Sequence, residues 1–187
     1  MHRYLLAGMA VLALAGCQSA AEKHAAETGE VDVANVSVGE LSKVLKAARA
    51  KTELEPGIWT AQMHVVSTDL SAFKGEDRAA QEEAIRRQER KSNGCRKADE
   101  LKPLDIRNLE QVAGTCSVAR YVVKGGKLDA NIQCTKDGAG TTTVLASGTM
   151  GKTAFDVTIS QETGKPGDQG YVAIKLQATG KRTGACS

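Results

Sequence analysis

Five cysteines offer the widest range of chemistry in this chain. They stand at positions 17, 95, 116, 134 and 186. Cysteine thiolates bind zinc, attack electrophiles or pair as disulfides, and the compartment largely decides between these outcomes. A structural zinc site usually brings two of its cysteines together as Cys-x-x-Cys, and this chain has no such pair, so a four-thiolate zinc site is the less favoured alternative. The N-terminal sequence indicates the compartment.

The N-terminal segment has the composition of an export signal. His2 and Arg3 precede an apolar run that is shorter than the roughly 20 residues of a membrane-spanning helix, and small residues end it. The segment Leu14-Ala15-Gly16-Cys17 resembles the lipobox of bacterial lipoproteins, in which the cysteine sulfur carries diacylglycerol and becomes the first mature residue. We therefore predict a signal peptide over 1–16 and lipidation at Cys17. An uncleaved membrane anchor is the alternative.

The residue after Cys17 indicates in which membrane a lipoprotein of this kind is anchored. Gln18 stands where, in lipoproteins of this kind, an aspartate favours retention in the inner membrane. The resemblance therefore implies the periplasmic face of the outer membrane. Several acyl chains, each contributing about 0.8 kcal/mol per buried methylene, make such an attachment nearly permanent. We expect membrane lipid as a partner through the acylated Cys17.

The four remaining cysteines allow three pairings in an oxidising compartment, and the sequence favours one of them. A three-residue loop over 124–126, with its last glycine left-handed, would place Cys116 directly opposite Cys134 in a hairpin. The same register aligns the apolar faces of both strands, whereas a shift of one residue would oppose apolar to polar positions. We therefore predict the disulfides Cys116–Cys134 and, by elimination, Cys95–Cys186.

Candidate catalytic groups are few. Of the three histidines, His2 lies in the signal peptide and His24 in the N-terminal segment, which leaves His64. A nucleophile–histidine arrangement would depend on this residue alone, and a lone strand histidine is more often a solvated or hydrogen-bonded side chain. The chain has no phosphate-binding glycine loop, no His-Glu-x-x-His and no acidic calcium loop. We expect no catalytic residue, no metal and no cofactor; a hydrolase centred on His64 is the least favoured alternative.

The charge balance argues against one class of partner. The chain has 25 Lys and Arg against 22 Asp and Glu, a formal net charge of +3, and 3% aromatic residues. Nucleic-acid binding usually relies on clustered positive charge and on aromatic platforms for bases. We therefore expect no nucleic-acid partner. A small ligand or another envelope protein is compatible with this composition.

Apolar patterning divides the mature chain into a tether and one domain. Residues 17–35 have almost no large apolar side chain and are predicted to form a flexible, lipid-anchored tether, followed by a single β-rich domain over 36–187. Ser37 and Glu40 form a Ser-x-x-Glu capping box that predicts a helix over 38–51. The outer face of this helix is basic, but its apolar stripe is modest, which favours a packing helix over one that contacts lipid headgroups.

The rest of the domain is predicted to be mostly β. A charged helix is expected over 76–91. Alternating apolar and polar residues predict strands over 58–66, 116–123, 127–135, 141–149, 153–161 and 171–180. The predicted fold class is α+β, mostly β: a curved antiparallel meander or partly closed barrel of about six strands, with one or two flanking helices.

Two motifs in the predicted domain are shared with a known family. Pro56-Gly57-x-Trp59 opens the domain, and Gly180-Lys181-Arg182-Thr183-Gly184-Ala185-Cys186 ends it. With four cysteines in this order, the segment from about Leu54 to the C-terminus resembles the proteobacterial domain-of-unknown-function family 3617. The resemblance implies a small exported β-rich domain with paired cysteines. It implies no established activity.

Arg182 and Trp59 are the candidate ligand-binding residues. Glycines on both sides and Cys186 nearby would fix the Arg182 guanidinium beside Trp59 or a carboxylate, as a packed cation–π pair or as an anion-binding fork, and the packed structural role is favoured. The function expected from the sequence is a non-enzymatic, lipid-anchored envelope protein that binds a small apolar or anionic ligand, or an envelope partner, at the concave face or rim of the sheet. The alternative is a structural or assembly accessory with a solid core.

Overall fold

The computed structural model describes residues 18–97, 100, 110–111, 113–138 and 140–186, so the predicted signal peptide and Cys17 lie outside the described part of the chain. Three helices and eight strands are assigned within it. The helices are α1 (Ala20–Thr28), α2 (Val38–Thr52) and α3 (Gly75–Arg86), and the strands are β1 (Val31–Ser37), β2 (Gly57–Asp69), β3 (Arg90–Arg96), β4 (Thr115–Lys124), β5 (Lys127–Lys136), β6 (Gly140–Met150), β7 (Ala154–Thr163) and β8 (Val172–Gly184).

All eight strands belong to one antiparallel sheet. Their order is β1-β4-β5-β6-β7-β8-β2-β3, so the strands from β4 to β8 form a meander and β2 returns to pair with β8. The edge strands β1 and β3 pair only with β4 and β2, which leaves the sheet open. The predicted α+β, mostly β class is confirmed. The sheet has two more strands than predicted and is not closed into a barrel.

The N-terminal segment is folded, so the prediction of a flexible tether is wrong from Ser19 onward. Ser19 caps α1 by accepting a hydrogen bond from the Glu22 amide at 3.2 Å. Val31 and Val33 on β1 are buried against the rest of the sheet. The prediction failed because it counted large apolar side chains, whereas an edge strand needs only two when its neighbour β4 already supplies an apolar surface.

Strand β3 begins within the segment that was predicted to form the end of the charged helix. The expected helix ran over 76–91, but α3 ends at Arg86 and β3 begins at Arg90. Most side chains of β3 are exposed, as on many edge strands that carry charge on their free side. Such a segment lacks a period of two in its hydrophobicity, so the sequence pattern alone predicts no strand there.

Helix α2 is the packing helix that the sequence predicts, and it covers one face of the sheet, which we call the inner face. The Ser37 hydroxyl accepts from the Glu40 amide at 3.1 Å, and the Glu40 carboxylate accepts from the Ser37 amide at 2.8 Å, so the capping box forms on both sides. Leu41 and Val44 are buried in one cluster with inner-face residues such as Ile132. Helix α1 in turn packs on α2. No helix among the described residues is long and apolar enough to cross a bilayer.

The β4–β5 hairpin reaches the predicted cysteine register by a different route. The predicted three-residue loop is wrong: Gly125 and Gly126 form a two-residue turn with φ of 55° and 75°, left-handed at both positions as type I′ requires. An extra residue, Ala119, then bulges out of β4 and shifts the register by one. The two deviations cancel, and Cys116 lies opposite Cys134.

Candidate functional site

The Pro56-Gly57-x-Trp59 motif begins β2 and places the tryptophan in the core. Trp59 has no exposed surface, and its ring stacks on Phe155 of β7 with centroids 6.1 Å apart and an angle of 25° between the planes. Its indole N–H donates to the Glu55 carbonyl at 2.9 Å. A fully buried tryptophan with its polar atom bonded within the chain leaves nothing to contact a ligand, so the predicted ligand-binding role of Trp59 is wrong.

Arg182 lies opposite Trp59 on the neighbouring strand β8. Its guanidinium Nε donates to the Pro56 carbonyl at 2.9 Å, which joins the last strand to the first residues of the family motif. A Cβ on Gly57 would stand 2.6 Å from this Nε, so only glycine lets the guanidinium approach. The contact is internal to the fold, because Nε bonds a main-chain carbonyl, as in the structural role that the sequence favoured.

In the C-terminal motif, packing explains why position 180 is a glycine. The edge of the Phe155 ring occupies the space in which a Cβ on Gly180 would stand. Phe155 and Gly180 are directly opposed on β7 and β8, so the glycine makes room for the ring that stacks on Trp59. The two family motifs therefore form one packed junction, which we call the motif junction and define as Pro56, Gly57, Trp59, Gly180 and Arg182.

The motif junction also holds the turn between β6 and β7. The Arg182 amide donates to the Thr153 carbonyl at 2.8 Å, and the Glu55 amide donates to the Lys152 carbonyl at 2.8 Å. Within the turn, the Gly151 amide donates to the Ala154 carbonyl at 2.8 Å. Main-chain hydrogen bonds from Glu55 and Arg182 therefore fix the backbone position of Lys152.

Two disulfides reinforce this arrangement, with the predicted pairing. Cys95 joins Cys186 across 5.5 Å between Cα atoms, and Cys116 joins Cys134 across 4.0 Å. The first ties edge strand β3 to the end of the chain, next to Arg182, and its cysteines are exposed. The second lies within the buried hairpin, where both cysteines are at most 6% exposed.

A cavity of about 280 Å³ opens at the rim of the sheet, beside the turns that end β4 and β6. Its walls come from two parts of the chain: the ends of α1 and α2 on one side, and the turns of the sheet on the other. The apolar lining consists of Val31, Leu45, Tyr121, Val123 and Met150, and the polar lining of Thr28, Glu30, Lys51, Thr52 and Lys152, with glycines between them. We call this the rim cavity. It combines an apolar interior with charged side chains.

The polar groups of the rim cavity have defined states. Burial raises the pKa of Tyr121 to about 12, so its hydroxyl is neutral at physiological pH. The Thr28 hydroxyl donates to the His24 carbonyl at 2.8 Å, and the Thr52 hydroxyl donates to the Ala48 carbonyl at 3.2 Å. Both hydroxyl protons are therefore engaged with main chain. Lys51 and Lys152 are exposed at their positions and form no ion pair with a described residue.

The structure does not bring His64 into a site. It lies on β2 between Met63 and Val65, which pack against the core, so its side chain points to the opposite face of the sheet. The neighbouring Gln177 donates to the Asp156 carboxylate at 2.9 Å, and the His64 Nδ1 is buried without a hydrogen-bond partner among the described residues. His64 does not line the rim cavity. Over the same part of the chain, no three Cys, His, Asp or Glu side chains lie close enough to hold a metal ion.

These features define an α+β domain with one open antiparallel sheet, two disulfides and a cavity at its rim. The chain belongs to the family described as "Protein of unknown function (DUF3617)", whose model matches residues 54–186. No curated protein and no solved structure matches the chain. The matched segment begins after α2, so it contains the sheet side of the rim cavity but not the wall formed by α1, β1 and α2.

Sequence reasoning predicted α2 but missed the other two elements of that wall, α1 and β1, although the sequence contains signals for them. Ser19 and Glu22 repeat the Ser-x-x-Glu spacing of the second helix. Gly29 stands where a left-handed residue ends α1, with φ of 78°. Val31 and Val33 alternate with polar residues as in a half-buried strand. Each signal is short, and together they outline α1 and β1.

Proposed function

We propose that this protein is a lipid-anchored component of the cell envelope, on the periplasmic face of the outer membrane, that binds a small ligand in the rim cavity without transforming it. The anchor is the diacylglycerol on Cys17. The rim cavity is the observation that carries the binding function. A structural or assembly accessory needs only a packed interior, whereas this fold keeps a space of about 280 Å³ beside a well-packed core.

The size and lining of the rim cavity support a binding role. Small-molecule sites are mostly apolar, with a few polar groups, and begin at about 300 Å³. The rim cavity, at about 280 Å³, lies just below that range and has the same mixture of side chains. Its residues include no cysteine, histidine or serine, and the protons of both lining threonines are donated to main-chain carbonyls. This chemistry favours binding over catalysis.

The start of the fold affects how the anchor would hold the domain. Ser19 already caps α1, so only Gln18 separates a lipid on Cys17 from folded structure. A flexible linker would have allowed the domain to move a few nanometres from the bilayer. With so short a connection, we expect the beginning of α1 to lie at the membrane surface. The rim cavity then remains close to the lipid phase.

Native mass spectrometry of variants purified from their own envelope tests this function. Leu45→Trp fills the rim cavity, and we expect it to remove a ligand mass that the unmodified chain carries. The matched control is Leu145→Trp, because Leu145 is 46% exposed on the outer face of β6 and lies outside the cavity. Cys17→Ala should abolish both the acyl mass and membrane fractionation. An unmodified chain without bound small molecule would contradict the binding function.

A further inference from the structure

We propose that the ligand of the rim cavity is a single short acyl chain with an anionic head, whose chain contacts the apolar interior and whose head is bound by Lys51 and Lys152. This inference rests on the proposed function and specifies the class of ligand at the same site. Each part of it follows from a separate feature of the cavity: its charge, its volume and its distance from the anchor.

The charge of the cavity favours an anion. Lys51 lies in the last turn of α2 and Lys152 in the β6–β7 turn, so the two ammonium groups come from opposite walls. Glu30 is the acidic residue of the lining, and its carboxylate lies 3.9 Å from the imidazole Nε2 of His24. Neither lysine has an ion-pair partner among the described residues. The lining thus has two lysines against one carboxylate, and an anionic head between the walls would meet a net positive charge.

Main-chain geometry holds both lysines at the cavity. Gly29 has a left-handed φ of 78°, and a Cβ there would stand 2.6 Å from the Lys51 Cβ, so the end of α1 packs directly on Lys51. On the other wall, the Glu55 amide binds the Lys152 carbonyl at 2.8 Å. The charges are thus attached to ordered backbone on both sides. A ligand would therefore have to order the exposed lysine side chains but not the backbone that carries them.

The interior favours an unbranched apolar chain of limited length. Leu45, Val123 and Met150 line it, and the neutral Tyr121 ring adds an aromatic surface. At roughly 30 Å³ for each water-sized group, the space takes on the order of ten non-hydrogen atoms. Octanoate has that size, with its carboxylate included. Longer chains would have to leave the cavity.

The position of the cavity favours a ligand that comes from the membrane. Helix α1 has 9 residues, so its end at the cavity lies about 14 Å from its start at 1.5 Å per residue. Its start follows Cys17 after Gln18 and Ser19. A lipid on Cys17 would thus keep the cavity near the bilayer, where fatty acids and monoacyl phospholipids share a single chain with an anionic head. We expect the free fatty acid, because its small carboxylate leaves most of the 280 Å³ to the chain, whereas a glycerophosphate head is several times larger.

Isothermal titration calorimetry in detergent-free buffer tests the inference on the full mature chain with Cys17→Ala, exported so that its disulfides form. The probes are hexanoate, octanoate, decanoate, octanol, octylammonium and a short-chain lysophosphatidylglycerol. We expect affinity to rise about fourfold per methylene up to octanoate and then to level off. Octanol and octylammonium should bind at least about tenfold more weakly than octanoate. The monoacyl phospholipid should bind more weakly than octanoate as well.

Charge variants separate the site from the surface. Lys51→Gln and Lys152→Gln should each weaken octanoate about tenfold and leave octanol unchanged. Lys175→Gln, on the polar face of β8, is the control and should change neither. Equal affinities for octanol and octanoate, or an equal loss with Lys175→Gln, would overturn the inference.

The failure of this inference is distinguishable from that of the proposed function. If the envelope-purified chain carries a ligand that Leu45→Trp removes, but the ligand is uncharged or cationic, the binding function stands and the anionic acyl chain is wrong. If tighter binding of the monoacyl phospholipid is observed, the charge argument stands and the free fatty acid is wrong. If no ligand is carried and no probe binds, both proposals fail.

Discussion

The folded N-terminal segment is the sharpest difference between sequence and structure, and Val33→Ala tests it. Val33 is 8% exposed on β1 and is paired with Tyr121 of β4. In a flexible tether this side chain would contribute nothing to stability. In the structure it belongs to the main core cluster. The control is Asp32→Ala on the same strand, because Asp32 is exposed.

The magnitude follows from what the substitution removes. Valine to alanine deletes two methyl groups, which contribute about 0.8 kcal/mol each, and incomplete collapse of the space adds to the loss. We therefore expect Val33→Ala to lower the free energy of unfolding by about 2 kcal/mol. Asp32→Ala should stay within about 0.5 kcal/mol of the unmodified chain.

Urea unfolding of the disulfide-bonded protein measures this difference. Trp59 is the only tryptophan of the chain and is fully buried on β2, on the far side of the sheet from β1, so its fluorescence reports the loss of the whole fold. With a urea dependence of about 2 kcal/mol per molar, the midpoint should fall by about 1 M. Hydrogen exchange of the β1 amides shows in parallel whether the segment opens separately.

One combination of results would show that the N-terminal segment is not folded. Coincident unfolding curves for Val33→Ala and Asp32→Ala, together with β1 amides that exchange as fast as in an unfolded chain, would restore the flexible tether. The rim cavity would then lack one wall. The proposed function would lose its site with it.

Three further predictions concern the motif junction, the second helix and the disulfides. Arg182→Lys removes the Nε donor to the Pro56 carbonyl and should lower the free energy of unfolding by about 1–2 kcal/mol in urea titrations. The control Lys181→Gln should leave this free energy within about 0.5 kcal/mol of the unmodified chain. Normal stability of Arg182→Lys with lost ligand binding would contradict the structural role of Arg182. Hydrogen bonds from the Ser37 backbone and side chain hold the pKa of Glu40 below its ordinary value of about 4.3. This carboxylate therefore stabilises the fold above that pH and loses its effect as the pH falls through the folded-state pKa, so the difference in unfolding free energy between the unmodified chain and Glu40→Gln should narrow from about pH 7 to about pH 3. A constant difference would argue against the capping box. Under mild dithiothreitol, alkylation and peptide mapping should find Cys95 and Cys186 reduced before the buried Cys116 and Cys134; the reverse order would contradict the observed burial.

Those parts of the fold that rest on local signals could be predicted from the sequence. The capping box at Ser37 satisfies main-chain groups within a few residues, so α2 begins where the pattern indicates. The pairing of Cys116 with Cys134 was predicted because hydrophobic faces constrain register strongly. The turn type was wrong, yet the Ala119 bulge restored the same alignment.

The remaining features depend on contacts between distant parts of the chain. Val33 needs the surface of β4 to become buried, and β3 needs β2 and the disulfide at Cys95, so neither strand has a sufficient signal of its own. Arg182 was singled out from its motif, but the partner of its Nε is a main-chain carbonyl, which no sequence motif displays. The rim cavity joins α1 and α2 to turns more than 70 residues away, as between Lys51 and Gly125, and cannot be found before the topology is known.

The mass of the chain purified from its own outer membrane tests both the lipid anchor on Cys17 and the use of the rim cavity. Under denaturing conditions, we expect a chain that begins at an acylated Cys17 and has no free thiol. Under native conditions, the same preparation should carry one additional mass, that of a single-chain fatty acid. A non-acylated chain with free cysteines and no bound molecule would contradict both the anchor and the use of the rim cavity.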